Sequence, residues 1–188
     1  MTKLLTLDLR SSVPGPETLP IMTELLRHVH LNEGHVEAAR WEPGHVTLKD
    51  DQERPPGLTD FAITVPFLMA SLRFVDLLRS FQCKCEYLPL VAHYRGREIE
   101  GEFFALNSLY VVSDALDLKR SKFGFYDEEL CLAEDVRSLT LNEAALGDEP
   151  LSYLREISTF AVNGSLAQAI DDAALIGIKL VKPEEFRG

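Results

Sequence analysis

The sequence is short of basic residues and of long apolar runs, and each shortage argues against a class of protein. It has 19 lysines and arginines against 30 aspartates and glutamates, a formal net charge of −11. Such a chain repels phosphate backbones and anionic lipid headgroups, so neither nucleic acid nor a membrane surface is an expected partner. No run of about 18 apolar residues occurs, so no transmembrane helix is predicted. The acidic balance is compatible with solubility alone or with a basic protein partner.

Cysteine is also scarce, with three residues at Cys83, Cys85 and Cys131. The number is odd, and the first two are too close in sequence for an ordinary bridge. This pattern favours reduced thiols and therefore a cytoplasmic location. The segment MTKLLTLDLR has no apolar core of the kind that a signal peptide needs, so none is predicted.

The motifs that mark common enzymes are missing. The sequence contains no G-x-G-x-x-G, no G-x-x-x-x-G-K-[ST] and no G-x-S-x-G. We therefore expect no catalytic residues, no bound cofactor and no enzyme activity. The alternative that the residues leave open is a small hydrolase in which His93 acts with Cys85 or with a glutamate.

Two groups of side chains resemble metal ligands without completing a site. Four histidines fall within 18 residues but show no H-x-x-x-H spacing, so surface or helix-end positions are expected for His28, His30, His35 and His45. Cys83 and Cys85 form a C-x-C pair, but zinc needs further ligands, so buried thiols are expected instead. No metal site is predicted.

With 188 residues, 46% of them apolar and 26% charged, the chain has the composition of a globular protein. We predict a single domain over 1–188 that needs no disulfide or metal to fold. The largest apolar mass lies between Phe61 and Ser121. It reads as a strand over 61–64, an almost wholly apolar helix over 67–81 and a hairpin over 84–107.

The C-terminal part predicts a second helix. Ser165 and Gln168 match a capping box, the apolar spacing predicts a helix over 165–175, and Gly177 is placed to end it. A strand is predicted over 178–181. Further predictions are strands at 5–9, 46–49 and 136–141, a helix over 18–29 and a loop over 144–150.

Residues 61–90 and 158–182 both read as strand, turn, helix, strand. They are interpreted either as related packing units or as a common pattern that occurs twice. The fold class predicted from these patterns is α+β, with one mainly antiparallel sheet centred on hairpin 84–107. Helices 67–81 and 165–175 are expected to pack on a face of that sheet.

Carboxylates concentrate in two predicted loops, which makes these loops candidates for binding a basic protein. A solvated surface is the plainer interpretation. The candidate partner-binding residues are Asp50, Asp51 and Glu53 in the first loop, and Asp127, Glu128, Glu129, Glu134 and Asp135 in the second.

Several short motifs resemble those of a known family. They are EYLPL at 86–90, a second strand ending in ALN at 105–107, ALD at 115–117 with Ser121, and SLAQAIDDAALIGIKLVKP at 165–183. Over roughly residues 60–183 the chain resembles the immunity proteins that accompany bacterial polymorphic toxins, specifically the myxobacterial-type immunity domain of about 190 residues.

The resemblance implies a cytoplasmic antitoxin that binds one cognate toxin domain and neutralises it by direct contact. It implies no catalytic residues and does not identify the toxin. Because a nuclease toxin is often basic where it grips phosphate, an acidic inhibitor suits such a target. The alternatives to an immunity protein are a small intracellular enzyme and a small-molecule-binding accessory domain.

Overall fold

The computed structural model describes residues 1–7, 15–18, 31–49, 59–64 and 67–187. Within these ranges the chain forms strands, three α-helices and short 3-10 turns. The strands are β1 (Lys3–Leu7), β2 (Gly15–Thr18), β3 (Gly44–Lys49), β4 (Phe61–Thr64), β5 (Phe67–Ser71), β6 (Cys85–Tyr94), β7 (Arg97–Ser108), β8 (Val111–Val112), β9 (Phe125–Asp127), β10 (Leu132–Glu134), β11 (Leu151–Leu154), β12 (Thr159–Val162) and β13 (Ile178–Val181). The helices are α1 (Leu72–Ser80), α2 (Glu143–Leu146) and α3 (Gly164–Asp172).

Six strands form the larger sheet, in the order β2-β3-β6-β7-β5-β4. All neighbours are antiparallel except β3 and β6. The first and last strands, β2 and β4, lie close together, so the sheet curls into a partly closed barrel. One apolar cluster fills its interior: Val46, Ala62, Phe67, Met69, Leu88, Leu90, Ala92, Phe103 and Ala105.

The second sheet has five strands in the order β13-β1-β12-β11-β8, and β9 with β10 forms a separate two-stranded ribbon. The pairing is again antiparallel apart from one pair, β8 with β11. The fold is therefore α+β and mainly antiparallel, as predicted. The prediction of one sheet is wrong, because the N-terminal strand β1 and the C-terminal strand β13 join β11 and β12 in a sheet of their own.

Helices α1 and α3 lie between the two sheets. Phe74, Val75 and Leu78 of α1 share one apolar cluster with Leu166 and Ile170 of α3. The cluster also contains residues of β5 and β7 from the larger sheet and of β1 and β12 from the smaller. Burying one such leucine is worth roughly 1.5–3 kcal/mol, so this shared core holds both sheets to the helices.

The two segments that echo each other in sequence adopt the same arrangement. Strands β5 and β6 flank α1 in the chain, and β7 lies between them in the sheet. Strands β12 and β13 flank α3, and β1 lies between them. Each unit is thus a split β-α-β, in which a third, antiparallel strand separates two parallel ones.

The predicted helix over 67–81 begins too early, because Phe67–Ser71 is strand β5 and the helix spans Leu72–Ser80. All five residues of β5 are buried, since one face of the strand meets the barrel interior and the other meets the shared core. A strand buried on both faces has no polar alternation and reads like an apolar helix. Ser71 ends the strand and caps the helix, its Oγ accepting the Phe74 N–H at 3.2 Å.

The second helix also differs from the prediction at both ends. Asn163, and not Ser165, is the N-cap, because its Oδ1 accepts the Leu166 N–H at 2.9 Å. The helix ends at Asp172, and Gly177 lies beyond it in the connection to β13 with φ +86°. An added Cβ on Gly177 would lie 2.1 Å from Thr59 Oγ1, so close packing against Thr59 also requires glycine here.

The other secondary-structure predictions are confirmed, differ from the structure or lie partly outside the described residues. The hairpin 84–107 and the strands at 46–49, 61–64 and 178–181 are confirmed within a few residues. Segment 136–141 forms only isolated bridges, and the predicted loop over 144–150 contains most of α2. Strand 5–9 is confirmed as far as Leu7, and the helix over 18–29 lies outside the described residues except for Thr18, which is in β2.

Candidate functional site

One of the two predicted acidic loops forms a hairpin, which we call the acidic hairpin (residues 125–135). It consists of β9, a turn and β10, with Leu132 opposite Asp127 and Glu134 opposite Phe125. Asp127 shapes the turn, because its Oδ1 accepts the backbone N–H groups of Glu129 and Leu130, each at 2.9 Å. Such side-chain-to-backbone bonds are why aspartate favours turns.

The acidic hairpin has an inner and an outer face. Tyr126 and Ala133 face each other across the strands and pack on the apolar cluster beneath the smaller sheet. Phe125 and Leu130 point away from that cluster, with 57% and 67% of their surface exposed. Large apolar side chains this exposed are typical of interaction sites when polar residues surround them.

The carboxylates of the hairpin differ in their partners. Asp127 is half-buried and engaged in the turn, while Asp135 pairs with Arg137, whose Nη2 lies 2.6 Å from Asp135 Oδ2. Glu128, Glu129 and Glu134 are exposed, and within the described residues no ion pair or hydrogen bond involves their carboxylates. Glu134 lies opposite Phe125, and Glu128 and Glu129 precede Leu130 in the turn, so negative charge lies beside both exposed apolar residues.

The negative potential of this region acts on Tyr126. Burial raises the pKa of the Tyr126 hydroxyl above its ordinary value, and the carboxylates of Glu156 and Glu128 raise it further. Sequence reasoning found the acidic residues here but missed Phe125 and Leu130. The sequence feature that could have identified Phe125 and Leu130 is the FYDEEL run, in which each lies within two residues of an aspartate or glutamate.

The other predicted acidic loop, with Asp50, Asp51 and Glu53, lies outside the described residues.

A cleft opens at the junction of β5, α1 and β7. Its volume is about 420 Å³. Asp60 lies in its wall, only 4% exposed, and accepts the hydroxyl of Ser71 at 2.6 Å, a guanidinium N–H of Arg73 at 3.1 Å and the Ile176 N–H at 2.8 Å. The other lining residues are Thr59, Leu72, Asp76, Glu102 and Phe103. Sequence reasoning missed Asp60, because its partners lie up to 116 residues away.

Glu86, the first residue of EYLPL, holds the segment before β3 against the larger sheet. Its carboxylate accepts the backbone N–H groups of Glu37 at 2.6 Å and Ala38 at 3.0 Å, and the side-chain amide of Asn107 at 2.7 Å. Asn32 forms two further bonds. Its backbone N–H donates to Asn107 Oδ1, and its side-chain Oδ1 accepts the Ser108 N–H, each at 2.7 Å. These contacts satisfy buried polar groups and give Glu86 a structural role.

Burial governs the protonation of the two thiols in the C-x-C pair. Burial raises the pKa of Cys83 and of Cys85 to about 12 in each case, so both stay protonated near neutral pH. Cys85 and His93 are eight residues apart on β6, or roughly 26 Å in an extended strand, so they do not form a catalytic pair. The glutamate opposite His93 across the sheet is Glu98.

Of the four histidines clustered in the sequence, the structure describes His35 and His45. His28 and His30 lie outside the described residues, and His35 lies in the exposed segment before β3. His45 on β3 meets His93 on β6, with His45 Nδ1 3.3 Å from His93 Nε2. Within the described part of the chain, no group of three or more His, Cys, Asp or Glu side chains is arranged to hold a metal ion.

Comparison with known proteins leaves the resemblance noted above without independent support. A scan against protein-family models finds no match for the chain, and a search of curated proteins finds none either. Among the helices in the described ranges, none has the length and apolar character needed to cross a bilayer.

Proposed function

We propose that this chain is a cytoplasmic immunity protein that binds a cognate toxin domain and neutralises it by direct contact. The observation that carries the proposal is the acidic hairpin, where exposed Phe125 and Leu130 lie among exposed carboxylates. An apolar centre with a charged rim is the usual composition of a protein–protein contact. The family-like motifs at 86–90 and 165–183 support the same proposal.

The charges define the kind of partner. Glu128, Glu129 and Glu134 repel an acidic protein and attract a basic one, such as a toxin domain that grips phosphate. A stable complex needs about 800 Å² buried on each partner, which is more than one short hairpin offers. The hairpin therefore acts as the anchor of a wider contact. Free cysteines agree with the reducing cytoplasm that the proposal requires.

Co-expression tests the biological activity. The probe is the toxin domain encoded beside the gene for this chain, produced from an inducible promoter in a bacterial host. Cells that carry both proteins should grow, whereas cells with the toxin alone should die. Equal killing with and without this chain overturns the proposal, and so does a gene neighbourhood that encodes no toxin.

Charge reversal tests the contact surface. Glu128→Lys, Glu129→Lys and Glu134→Lys together should weaken binding of the toxin domain by 100-fold or more, about 2.7 kcal/mol, and abolish protection. The matched control reverses three other exposed glutamates, Glu98 and Glu102 on β7 and Glu42 just before β3. It makes the same change in net charge and should alter affinity only a few-fold. Equal losses in both variants would show that net charge, and not the hairpin, governs binding.

A second variant tests whether the exposed apolar residues of the acidic hairpin contribute to binding. Phe125→Ser with Leu130→Ser removes the exposed apolar surface and leaves the carboxylates in place. Because electrostatic attraction governs mainly the association rate, this variant should associate at nearly the normal rate and dissociate faster. Kinetics by biolayer interferometry with the toxin domain measure both rates. An unchanged dissociation rate would place the contact elsewhere.

The cleft beside Asp60 supports a second candidate, a small-molecule-binding domain, because about 420 Å³ is within the usual range for such sites. A thermal-shift screen of metabolites should then find a ligand whose effect is lost in Leu72→Trp, which narrows the cleft at its rim. Leu118→Trp is the matched control, since Leu118 is equally exposed but lies outside the cleft. A screen without such a ligand counts against this candidate.

A further inference from the structure

We infer that His45 and His93 form a binding site for one divalent transition-metal ion of the Zn²⁺, Ni²⁺ or Cu²⁺ type, clipping β3 to β6. The two imidazole nitrogens, His45 Nδ1 and His93 Nε2, are 3.3 Å apart. The rings are nearly parallel, with 16° between their planes and 5.6 Å between their centroids. This pairing is independent of the acidic hairpin and of any toxin partner.

The strand register produces the pairing. Strands β3 and β6 are parallel, with His45 beside Val91 and Thr47 beside His93. Val46 and Ala92, the alternate residues, are buried in the barrel interior. The two histidines therefore lie on the outer face of the same ladder, where an ion from solvent reaches them.

The separation of the nitrogens suits a metal ion. A transition-metal ion binds imidazole nitrogen at about 2.0–2.1 Å, so two nitrogens 3.3 Å apart subtend an angle of about 107° at the ion. That angle is close to tetrahedral. With 5.6 Å between the ring centroids the two nitrogens point directly at each other, so an ion enters only after both rings turn away from this direct contact. Mg²⁺ and Ca²⁺ prefer oxygen ligands, whereas imidazole selects zinc, nickel and copper.

The rest of the coordination shell would be solvent. In the part of the chain that the structure describes, no third side chain completes a metal-binding group. Glu98 lies opposite His93 on β7 and is exposed, so its carboxylate adds negative charge near the pair. Two protein ligands with water predict modest affinity, in contrast to a closed structural site.

The site has a mechanical consequence for the barrel. The β3–β6 ladder is the connection between the β2–β3 pair and the rest of the larger sheet. An ion that binds both strands only in the folded state stabilises that state by mass action. The midpoint of thermal unfolding should therefore rise as the metal concentration increases.

The test compares single variants of the full chain in ZnCl2 and NiCl2 titrations. Wild type should bind one ion more than His45→Gln or His93→Gln by isothermal titration calorimetry, and should gain several degrees in Tm that both variants lack. His35→Gln is the matched control, because His35 is an exposed histidine away from the pair. Cu²⁺ electron paramagnetic resonance should show couplings from two nitrogens in wild type and fewer in either variant.

A hydrogen-bonded histidine pair is the competing explanation for the short distance. In that case each variant lowers Tm by the same amount in EDTA as in metal, and each variant binds as much metal as wild type. That result overturns the inference. Circular dichroism of each variant in EDTA establishes that it is folded before the titrations are compared.

Discussion

At the scale of single residues, the buried carboxylate of Asp60 is held by three donors. Asp60 uses both oxygens, with Ser71 on Oδ1 and with Arg73 and the Ile176 N–H on Oδ2. These donors come from β5, α1 and the connection before β13, so one side chain joins both split β-α-β units. A buried charge is tolerated only when hydrogen bonds replace the water that it loses.

Asp60→Ala should therefore destabilise the protein by about 3 kcal/mol, because it leaves the buried Ser71 hydroxyl and the part-buried Ile176 N–H without their acceptor. Asp76→Ala is the control. Asp76 is 60% exposed and pairs with Arg79 on the surface, so its loss should cost less than about 1 kcal/mol. Urea unfolding measures both values. Similar costs for the two variants would contradict the role assigned to Asp60.

The cysteines give a prediction that depends on pH. With pKa values raised to about 12 by burial, Cys83 and Cys85 stay almost wholly protonated at pH 8. Iodoacetamide at pH 8 should therefore label Cys131 first, as mass spectrometry of peptides would show. Equal labelling rates for all three thiols would contradict the burial of the pair.

The same shift predicts a loss of stability at high pH. The folded state keeps both thiols protonated, while the unfolded state ionises them near the ordinary value of 9.0. The unfolded state then binds fewer protons, so the free energy of unfolding falls as pH rises from about 9 towards 12. Below pH 9 the two thiols contribute no pH dependence.

At the scale of elements, each split β-α-β unit turns directly from a strand into a helix. Ser71 and Asn163 make these turns, both with extended backbone and with a side chain that accepts an N–H three residues on. The first N–H groups of a helix have no partner within it, and each of these caps accepts one of them. The caps fix where each helix starts and therefore which of its faces meets the shared core.

Asn163→Ala should lower the free energy of unfolding by about 1 kcal/mol, because it removes the cap of α3. Ser165→Ala should change it by less than about 0.5 kcal/mol, since Ser165 is exposed inside the helix, where alanine is favourable. Thermal or urea denaturation of the two variants shows which residue caps the helix. A larger cost for Ser165→Ala would support the capping box predicted from the sequence.

At the scale of the molecule, the two sheets share one core. Phe74 and Leu78 of α1 contact a cluster to which both sheets contribute, so neither sheet can lose its packing alone. The barrel interior and the cluster beneath the smaller sheet are separate from it. Such an arrangement favours a single cooperative unfolding transition.

Trp41 allows a direct test, because it is the single tryptophan and reports on the larger sheet. Its Nε1 donates to the Pro89 carbonyl at 2.8 Å. Tryptophan fluorescence and far-ultraviolet circular dichroism should give the same urea midpoint, and Phe74→Ala should lower both midpoints, at a cost of about 3–5 kcal/mol. Two separate midpoints would contradict the single domain predicted over 1–188.

Local pattern was enough to predict elements with one buried face. Strand β7 alternates exposed Glu98 and Glu102 with half-buried Ile99 and buried Phe103, and the hairpin with β6 follows from the Arg95–Gly96 turn. The carboxylates of the acidic hairpin were visible for the same reason, since charge is a property of composition. The exposure of Phe125 and Leu130 was not, because it depends on which face of β9–β10 meets the protein.

The sequence by itself determined the α+β class, the central hairpin and the negative charge, because these depend on residue type and on short-range periodicity. Only the tertiary structure decided that Phe67–Ser71 is a strand, since burial on both faces leaves no period to read. Contact with Thr59 likewise explains Gly177, and the register of β3 against β6 brings His45 to His93. Each of these depends on partners distant in the chain, whose approach no local pattern encodes.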